Sequence, residues 1–178
     1  MTPVISIKKL TAADAPQLLT ISKQTFFDAF FYLNQPEDME LYAAQAFTLK
    51  QLLQEITTPS SAFYWAILNN KPVGFIKLNS GMAQNEFQDY NSLEIERLYV
   101  LASHQRLQIG SLLMEFAIAE ARKNRNQFIW LGVWEHNHQA IRFYQRWGFV
   151  TYGSHTFMLG NDQQTDLLMR RDLPDDAV

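Results

Sequence analysis

The sequence predicts a mixed α+β fold, with a central, mostly antiparallel sheet, one parallel strand pair and flanking helices. Three observations carry that prediction. Strand and helix periodicities follow one another in the order strand, helices, three strands, helix, strand, helix, strands. The alternating run LEIERLYVL (93–101), the amphipathic stretch 109–123 and the apolar run QFIWLGV (127–133) compose one β-α-β crossover, right-handed by the usual rule. Aromatic and β-branched runs paired across tight turns supply the antiparallel neighbours.

Each element has its own local reason. VISIKKL (4–10) alternates as a short strand. Thr11 to Asp14 then provide capping side chains for APQLLTISKQTFFDAF, where Leu18, Leu19, Ile21, Phe26 and Phe30 roughly keep helical spacing. Pro36 followed by acids starts a helix over 36–47. A shorter helix near Leu49–Ile56 precedes Pro59. AFYWAILNN (62–70) and PVGFIKLNS (72–80) form a hairpin about Asn69-Asn70-Lys71. Over Ile109–Lys123, Ile109, Leu112, Leu113, Phe116 and Ala117 make one apolar stripe. QFIWLGV does not alternate, which fits burial on both faces and places Trp130 inside. NHQAIRFYQRWG (137–148) reads as a helix that Gly148 closes, and FVTYG, HTFML and QTDLLMR as three final strands.

Composition bounds the function. A chain of 178 residues fits a single domain, 1–178, with one sizeable core. The absence of cysteine excludes disulfides, thiolate metal ligands and a thiol nucleophile. The N-terminus lacks the apolar centre of a signal peptide and no apolar run reaches about 18 residues, so a soluble, cytoplasmic protein without a membrane partner is expected. A net charge of −3 argues against nucleic acid as a partner. That charge is unevenly spread. Between Phe26 and Glu96 nine acids face three lysines, whereas between Arg97 and Arg146 seven bases face three acids. Either this is ordinary solvated surface, or the protein meets a cation on one side and an anion on the other. His136 and His138 lack a third nearby ligand and read as exposed loop residues, so no metal site is expected.

The loop HQRLQIGS (104–111) feeds directly into the predicted helix 109–123. Backbone N–H groups from Leu107 to Ser111 would point out of that helix start, where the dipole favours negative charge. Gln105 and Arg106 add donors, and Gly110 allows close approach of the backbone to a ligand. Alone, one glycine makes a weak phosphate loop.

The residues downstream change its weight. The strand ending at Trp134, then Asn137, Ala140, Phe143-Tyr144 and Gly148-Phe149, resembles the second half of the acetyl-CoA site of the GNAT N-acetyltransferases. The first half in that family is a strand followed by Gln/Arg-x-x-Gly-x-Gly/Ala; Gln105 to Gly110 occupies it here, with Gln108 in place of the first glycine. Through SLEIERLYV, IWLGVWE, HTF and QTDLLM the chain is similar to the PaiA-type spermidine/spermine N-acetyltransferases.

The resemblance implies a GNAT fold whose parallel pair is splayed, acetyl-CoA as cosubstrate, and a small amine as acceptor, in the PaiA group a polyamine. It implies that the pantetheine arm pairs with backbone around Leu98, Tyr99 and Val100, and that the loop Gln105, Arg106, Leu107, Gln108, Ile109, Gly110 and Ser111 cradles the pyrophosphate. Asn137 has two readings, a ligand for a pantetheine amide and the N-cap of its helix. Tyr144 is the implied general acid, since a phenol near pKa 10 is protonated at neutral pH; the other reading is a core aromatic on the face of Ala140, Phe143 and Trp147. Glu94 and Glu96 stand two apart and so share a strand face. Facing the cleft, Glu96 is the candidate base and Glu94 a candidate amine contact; the other reading faces both to solvent. Trp134, His155 and Asp166 are further candidates for the acceptor side. The other activities in view are acetylation of a peptide N-terminus or other small amine, and non-catalytic acyl-CoA binding. A monomer or a homodimer is expected.

Overall fold

Among the described residues, seven strands hydrogen-bond into one sheet: β1 (Ile5–Lys9), β2 (Ser61–Leu68), β3 (Lys71–Ser80), β4 (Ser92–Val100), β5 (Phe128–Trp134), β6 (Val150–Leu159) and β7 (Asp162–Asp172). Their spatial order is β1-β2-β3-β4-β5-β7-β6. Every neighbouring pair is antiparallel except β4 and β5. The structure, a computed structural model, describes residues 4–174, so the ends of the expected domain 1–178 lie outside it.

The helices begin where the sequence supplies a start signal. Thr11 and Asp14 form a capping box ahead of α1 (Ala15–Phe30), with Pro16 in its first turn. Pro36, Glu37 and Asp38 open α2 (Pro36–Ala46), and the Thr48 hydroxyl accepts from the Gln51 N–H to cap α3 (Leu49–Thr57). α4 (Ile109–Lys123) has the expected bounds. α5 (His138–Arg146) is followed by Gly148 at φ +82°, a turn that a side chain would strain.

α4 covers one face of the sheet, burying Ile109, Leu113, Met114, Ala117, Ile118 and Ala121 against Ile76, Leu78, Ile95, Ile129 and Leu131. Leu112 and Phe116, expected on this stripe, are only half-buried; Met114, Ile118 and Ala121 complete it instead. Truncating a fully buried leucine such as Leu113 to alanine removes about 2–5 kcal/mol. α1 and α3 cover the opposite face around Leu18, Leu52, Phe63, Trp65 and Phe75. Phe26, Met39, Ala43, Phe47 and Leu159 join α1 and α2 to β6.

The strands depart from expectation in three places. The first hairpin turns on two residues, Asn69 and Asn70, both at positive φ, which matches the strand twist. FVTYG and HTFML are not separate strands but one, because Gly153 stays in the ladder opposite Leu168 and the irregularity is absorbed as a shift between Thr151 and Gly153. In β4, strict alternation fails at Glu96. Lys77 pairs with Arg97 and Leu78 with Ile95, so Glu96 is the extra residue of a bulge. Cross-strand partners share a face, so Arg97 and Tyr99 lie on the same side as Glu94, with Lys77 and Asn79.

Candidate active site

The site begins where the parallel pair stops. β4 and β5 pair only from Ser92/Phe128 to Glu94/Trp130, although β4 continues to Val100 and β5 to Trp134. Beyond that point the strands diverge, and over residues 95–100 the edge of β4 turned toward β5 faces an opening, while the other edge stays paired with β3. An unpaired edge of this kind takes its hydrogen bonds from solvent or from a ligand. Ile95 to Val100 and Gly132 to Trp134 line the resulting cleft, whose volume is about 1130 Å³.

The start of α4 forms one end of the cleft. The first intrahelical bond there runs from the Leu112 N–H to the Gln108 carbonyl at 3.0 Å, so the N–H groups of Ile109, Gly110 and Ser111 precede it. Gln108 sits in the left-handed region (φ 60°, ψ 15°), and so does Arg106 (φ 68°). A residue other than glycine therefore adopts the backbone that the family's first loop glycine would favour. Gln105, Arg106, Gln108, Ile109, Gly110 and Ser111 all line the cleft, together with His104 and Arg146. Leu107 does not; its side chain is half exposed to solvent. The basic segment contributes less here than its charge count suggests. Arg106 and Arg146 reach the cleft's loop end, while the bulge turns Arg97 toward the acidic wall.

α5 brings Asn137 and Tyr144 to the same opening. Asn137 Oδ1 accepts from the Ala140 N–H at 3.2 Å, so it does cap the helix. Its Nδ2 donor makes no hydrogen bond among the described residues, leaving the ligand role compatible with the cap. Tyr144 packs on Phe143 and Phe149 with part of its surface in the cleft, which satisfies its core reading as well. Burial pushes its phenol up to about 12, so it holds its proton throughout the neutral range.

The other end of the cleft is acidic: Asp28, Glu86, Glu94, Glu96 and Asp166 line it. Glu94 is buried, with both oxygens engaged. Asn79 Nδ2 and the Asn85 N–H donate to Oε2, and Asn85 Nδ2 donates to Oε1. Burial still outweighs these bonds and raises its proton affinity above the ordinary carboxylate. Glu96 differs. Its Oε2 is held by Lys77 Nζ and Asn79 Nδ2, each at 2.6 Å, whereas among the described residues Oε1 has only Arg97, at 3.6 Å. The solvent-facing alternative for this pair is therefore excluded.

Trp134 lines the cleft and meets Phe30 edge-on, which brings α1 over the splay. His155 stands between Glu86, 3.1 Å from Nδ1, and Asp166, 3.6 Å from Nε2. Burial raises the proton affinity of Asp166, with His155 acting against it. His136 and His138 are exposed, and no group of three metal-ligating side chains occurs among the described residues. No helix among them is long and apolar enough to cross a membrane.

Glu86, which lines this end of the cleft, and Glu55, Lys77 and Asn79, which stand behind Glu96 and Arg97, escaped sequence reasoning. Lys77 carried a signal: it interrupts an otherwise apolar run from Val73 to Leu78. Glu55 carried none, since only the packing of α3 brings it to the sheet.

Comparison with known proteins gives the family and the fold. A model of the acetyltransferase (GNAT) family matches residues 23–149. An uncharacterized N-acetyltransferase in the pepI 3' region of Lactobacillus delbrueckii subsp. lactis is 40% identical over 169 residues, 95% of this chain and 98% of the relative. Among solved structures, the PaiA N-acetyltransferase from Thermoplasma acidophilum in complex with coenzyme A superposes with a TM-score of 0.80 at 21% identity, covering 96% of this chain and 99% of that one. The ribosomal-protein-alanine N-acetyltransferase from Brucella melitensis gives 0.70 at 21% identity, covering 94% and 99%. The chain belongs to the acetyltransferase (GNAT) family and is an acetyl-CoA-dependent N-acetyltransferase.

Proposed function

We propose that this enzyme acetylates a primary amine of a small polycation of the spermidine or spermine type, by direct transfer. The observation that carries the reading is the division of the cleft. One end offers helix N–H groups and arginines suited to phosphate, and the other offers five carboxylates suited to an amine that bears further ammonium groups. The likeness to the PaiA structure supports the fold of this arrangement.

The residues present fit acetyl-CoA. Ile109, Gly110 and Ser111 supply backbone donors for its pyrophosphate, with Arg106 and Arg146 nearby. The unpaired edge of β4 from Leu98 to Val100, Asn137 Nδ2 and the edge of β5 supply amide partners along the splay. The thioester supplies an activated acetyl carbonyl. A backbone N–H at the β4 edge stabilises the charge that develops on the carbonyl oxygen; losing such a donor typically costs about 10²–10³ in rate.

The proton path follows from the two flanks of the cleft. The acceptor must lose its ammonium proton before its nitrogen attacks, and Glu96 Oε1, the less engaged oxygen, takes a proton directly or through water. As the new C–N bond forms and the C–S bond breaks, Tyr144 donates its proton to the departing sulfur. Glu96 returns its proton to solvent, and Tyr144 is reprotonated in turn. Acetylation removes one positive charge from the acceptor, which weakens its hold on the acidic wall and favours release. Glu94, with both oxygens already bonded, shapes that wall by fixing the Asn79 and Asn85 amides, and Trp134, His155 and Asp166 border the acceptor.

The test is thiol release from acetyl-CoA with a panel of spermidine, spermine, simple monoamines and a peptide with an N-terminal alanine. Polyamines are expected to give the highest kcat/KM. Turnover of the peptide without turnover of any polyamine would overturn the acceptor assignment while leaving the transferase intact.

A further inference from the structure

Four charged side chains close a ring beside the cleft. Glu55 Oε2 lies 2.9 Å from Lys77 Nζ and 2.8 Å from the Arg97 guanidinium; Lys77 lies 2.6 Å from Glu96, and Arg97 lies 3.6 Å from it. The signs alternate around the ring and cancel. Side-chain exposure is 7% for Lys77, 12% for Glu55 and Arg97, and 21% for Glu96, the one acid of the ring that lines the cleft. Gln51 donates to Glu55 Oε1 at 3.0 Å from the preceding turn of α3, fixing the carboxylate.

Stability alone is a poor reason for such a ring. Removing four charges from water is expensive, and well-packed apolar side chains of similar volume usually serve as well or better. The site already has the apolar surroundings for that solution, with Phe63 and Phe47 against these cations. Nor does the chain spend the two cations on CoA, since both face the acceptor end.

We propose that Glu55 is a positioning residue for acetyl transfer, sharing Lys77 and Arg97 with Glu96 so that Glu96 can gain and lose a proton within an otherwise fixed ring. The inference rests on the reading of Glu96 as the base. While Glu96 is ionised, each cation lies between two anions. When Glu96 takes the acceptor's proton, Glu55 still holds Lys77 and Arg97 at the distances above, so neither cation swings into the cleft. Without Glu55, both cations act on Glu96 alone; they favour its ionised form and make it a weaker proton acceptor. Without Lys77, the effect reverses. The other groups facing Glu96 are Asn79 and Glu94 from the sheet and Tyr42 from α2, and these stay in place in either variant.

The experiment is the pH dependence of kcat/KM for acetyl transfer to spermidine by Glu96→Gln, Glu55→Gln, Lys77→Gln and the Glu55→Gln/Lys77→Gln double variant, with thermal unfolding of each. Glu96→Gln is expected to abolish the acid limb of the wild-type profile. Glu55→Gln is expected to move that limb about one pH unit down and to lower kcat about three- to ten-fold. Lys77→Gln is expected to move it about one unit up. The double variant restores a neutral ring and is expected to bring the limb back close to wild type. Structural damage would add in the double variant instead of cancelling. If Glu96→Gln abolishes the limb but the ring variants leave it in place, or move it in the same direction, the role of Glu55 is refuted while the base stands. If Glu96→Gln leaves the limb intact, the base assignment falls and the role of Glu55 falls with it.

Discussion

Replacing Gln108 with glycine should stabilise the protein and leave its CoA affinity essentially unchanged. In the structure Gln108 occupies φ 60°, ψ 15°, immediately before α4. Holding a residue with a Cβ in that region costs about 1–2 kcal/mol. Glycine removes that strain but enlarges the freedom of the unfolded chain, which costs roughly 0.4–1 kcal/mol. The Gln108 side chain is exposed and makes no hydrogen bond among the described residues, so no packing is lost. The net expectation is a gain of up to about 1.5 kcal/mol, or a rise in Tm of a few degrees for a chain of this size. The phosphate donors proposed here are backbone groups, which survive the substitution, so the Kd for CoA should stay within about three-fold by the scale of one weak contact. Calorimetric unfolding and titration with CoA measure the two quantities separately. A lower Tm would refute the strain argument. A ten-fold loss of affinity would show that the glutamine side chain itself contacts CoA.

Two further outcomes follow from the same geometry. Tyr144→Phe keeps the packing on Phe143 and Phe149 and removes only the hydroxyl, so CoA binding should persist while kcat falls about 10²–10⁴-fold. Because burial holds the wild-type phenol up to about 12, any alkaline limb from this acid lies near that pH; an unchanged kcat would end its role. Glu55 bears on stability in acid. Burial opposes its charge, but Arg97 and Lys77 outweigh burial and hold its carboxyl below the ordinary value of 4.5. A depressed value means that the stabilisation is fully present above about pH 4.5 and disappears as pH falls through the folded value. Glu55→Gln should therefore lower stability at pH 7, by up to about 3 kcal/mol, and progressively less below pH 4, as read by urea unfolding; a difference independent of pH would contradict this.

Much of the fold was legible because its signals are local. The bounds of α4 followed from an apolar stripe and a polar loop, those of α2 from Pro36 and its acids, and the first hairpin from two asparagines that tolerate positive φ. The cleft-lining positions of Gly110, Asn137 and Tyr144 came instead through the family resemblance, whose motif spacing survives in one dimension. The acceptor end was not legible. A period of two put Glu94 and Glu96 on one face, which holds, but it could not show the bulge at Glu96 that brings Arg97 round to join them. Counting charges along the chain grouped Arg97 with the basic segment 97–146, whereas its partners are Glu55 and Glu96. Glu55 and Lys77 are 22 residues apart in sequence and meet only because α3 packs across β2 and β3. Gly153 shows the opposite failure: a residue that reads as a break is carried inside a continuous strand by its bulge.

The most direct test of the whole account is a crystal structure of the enzyme with CoA and spermidine bound together. The account predicts pyrophosphate oxygens at hydrogen-bonding distance, about 2.7–3.2 Å, from the N–H groups of Ile109 to Ser111. It predicts pantetheine between the diverging halves of β4 and β5, its sulfur beside the Tyr144 hydroxyl, and the reacting amine nearest Glu96 Oε1. CoA bound away from the splay, or spermidine bound away from the acidic wall, would contradict it.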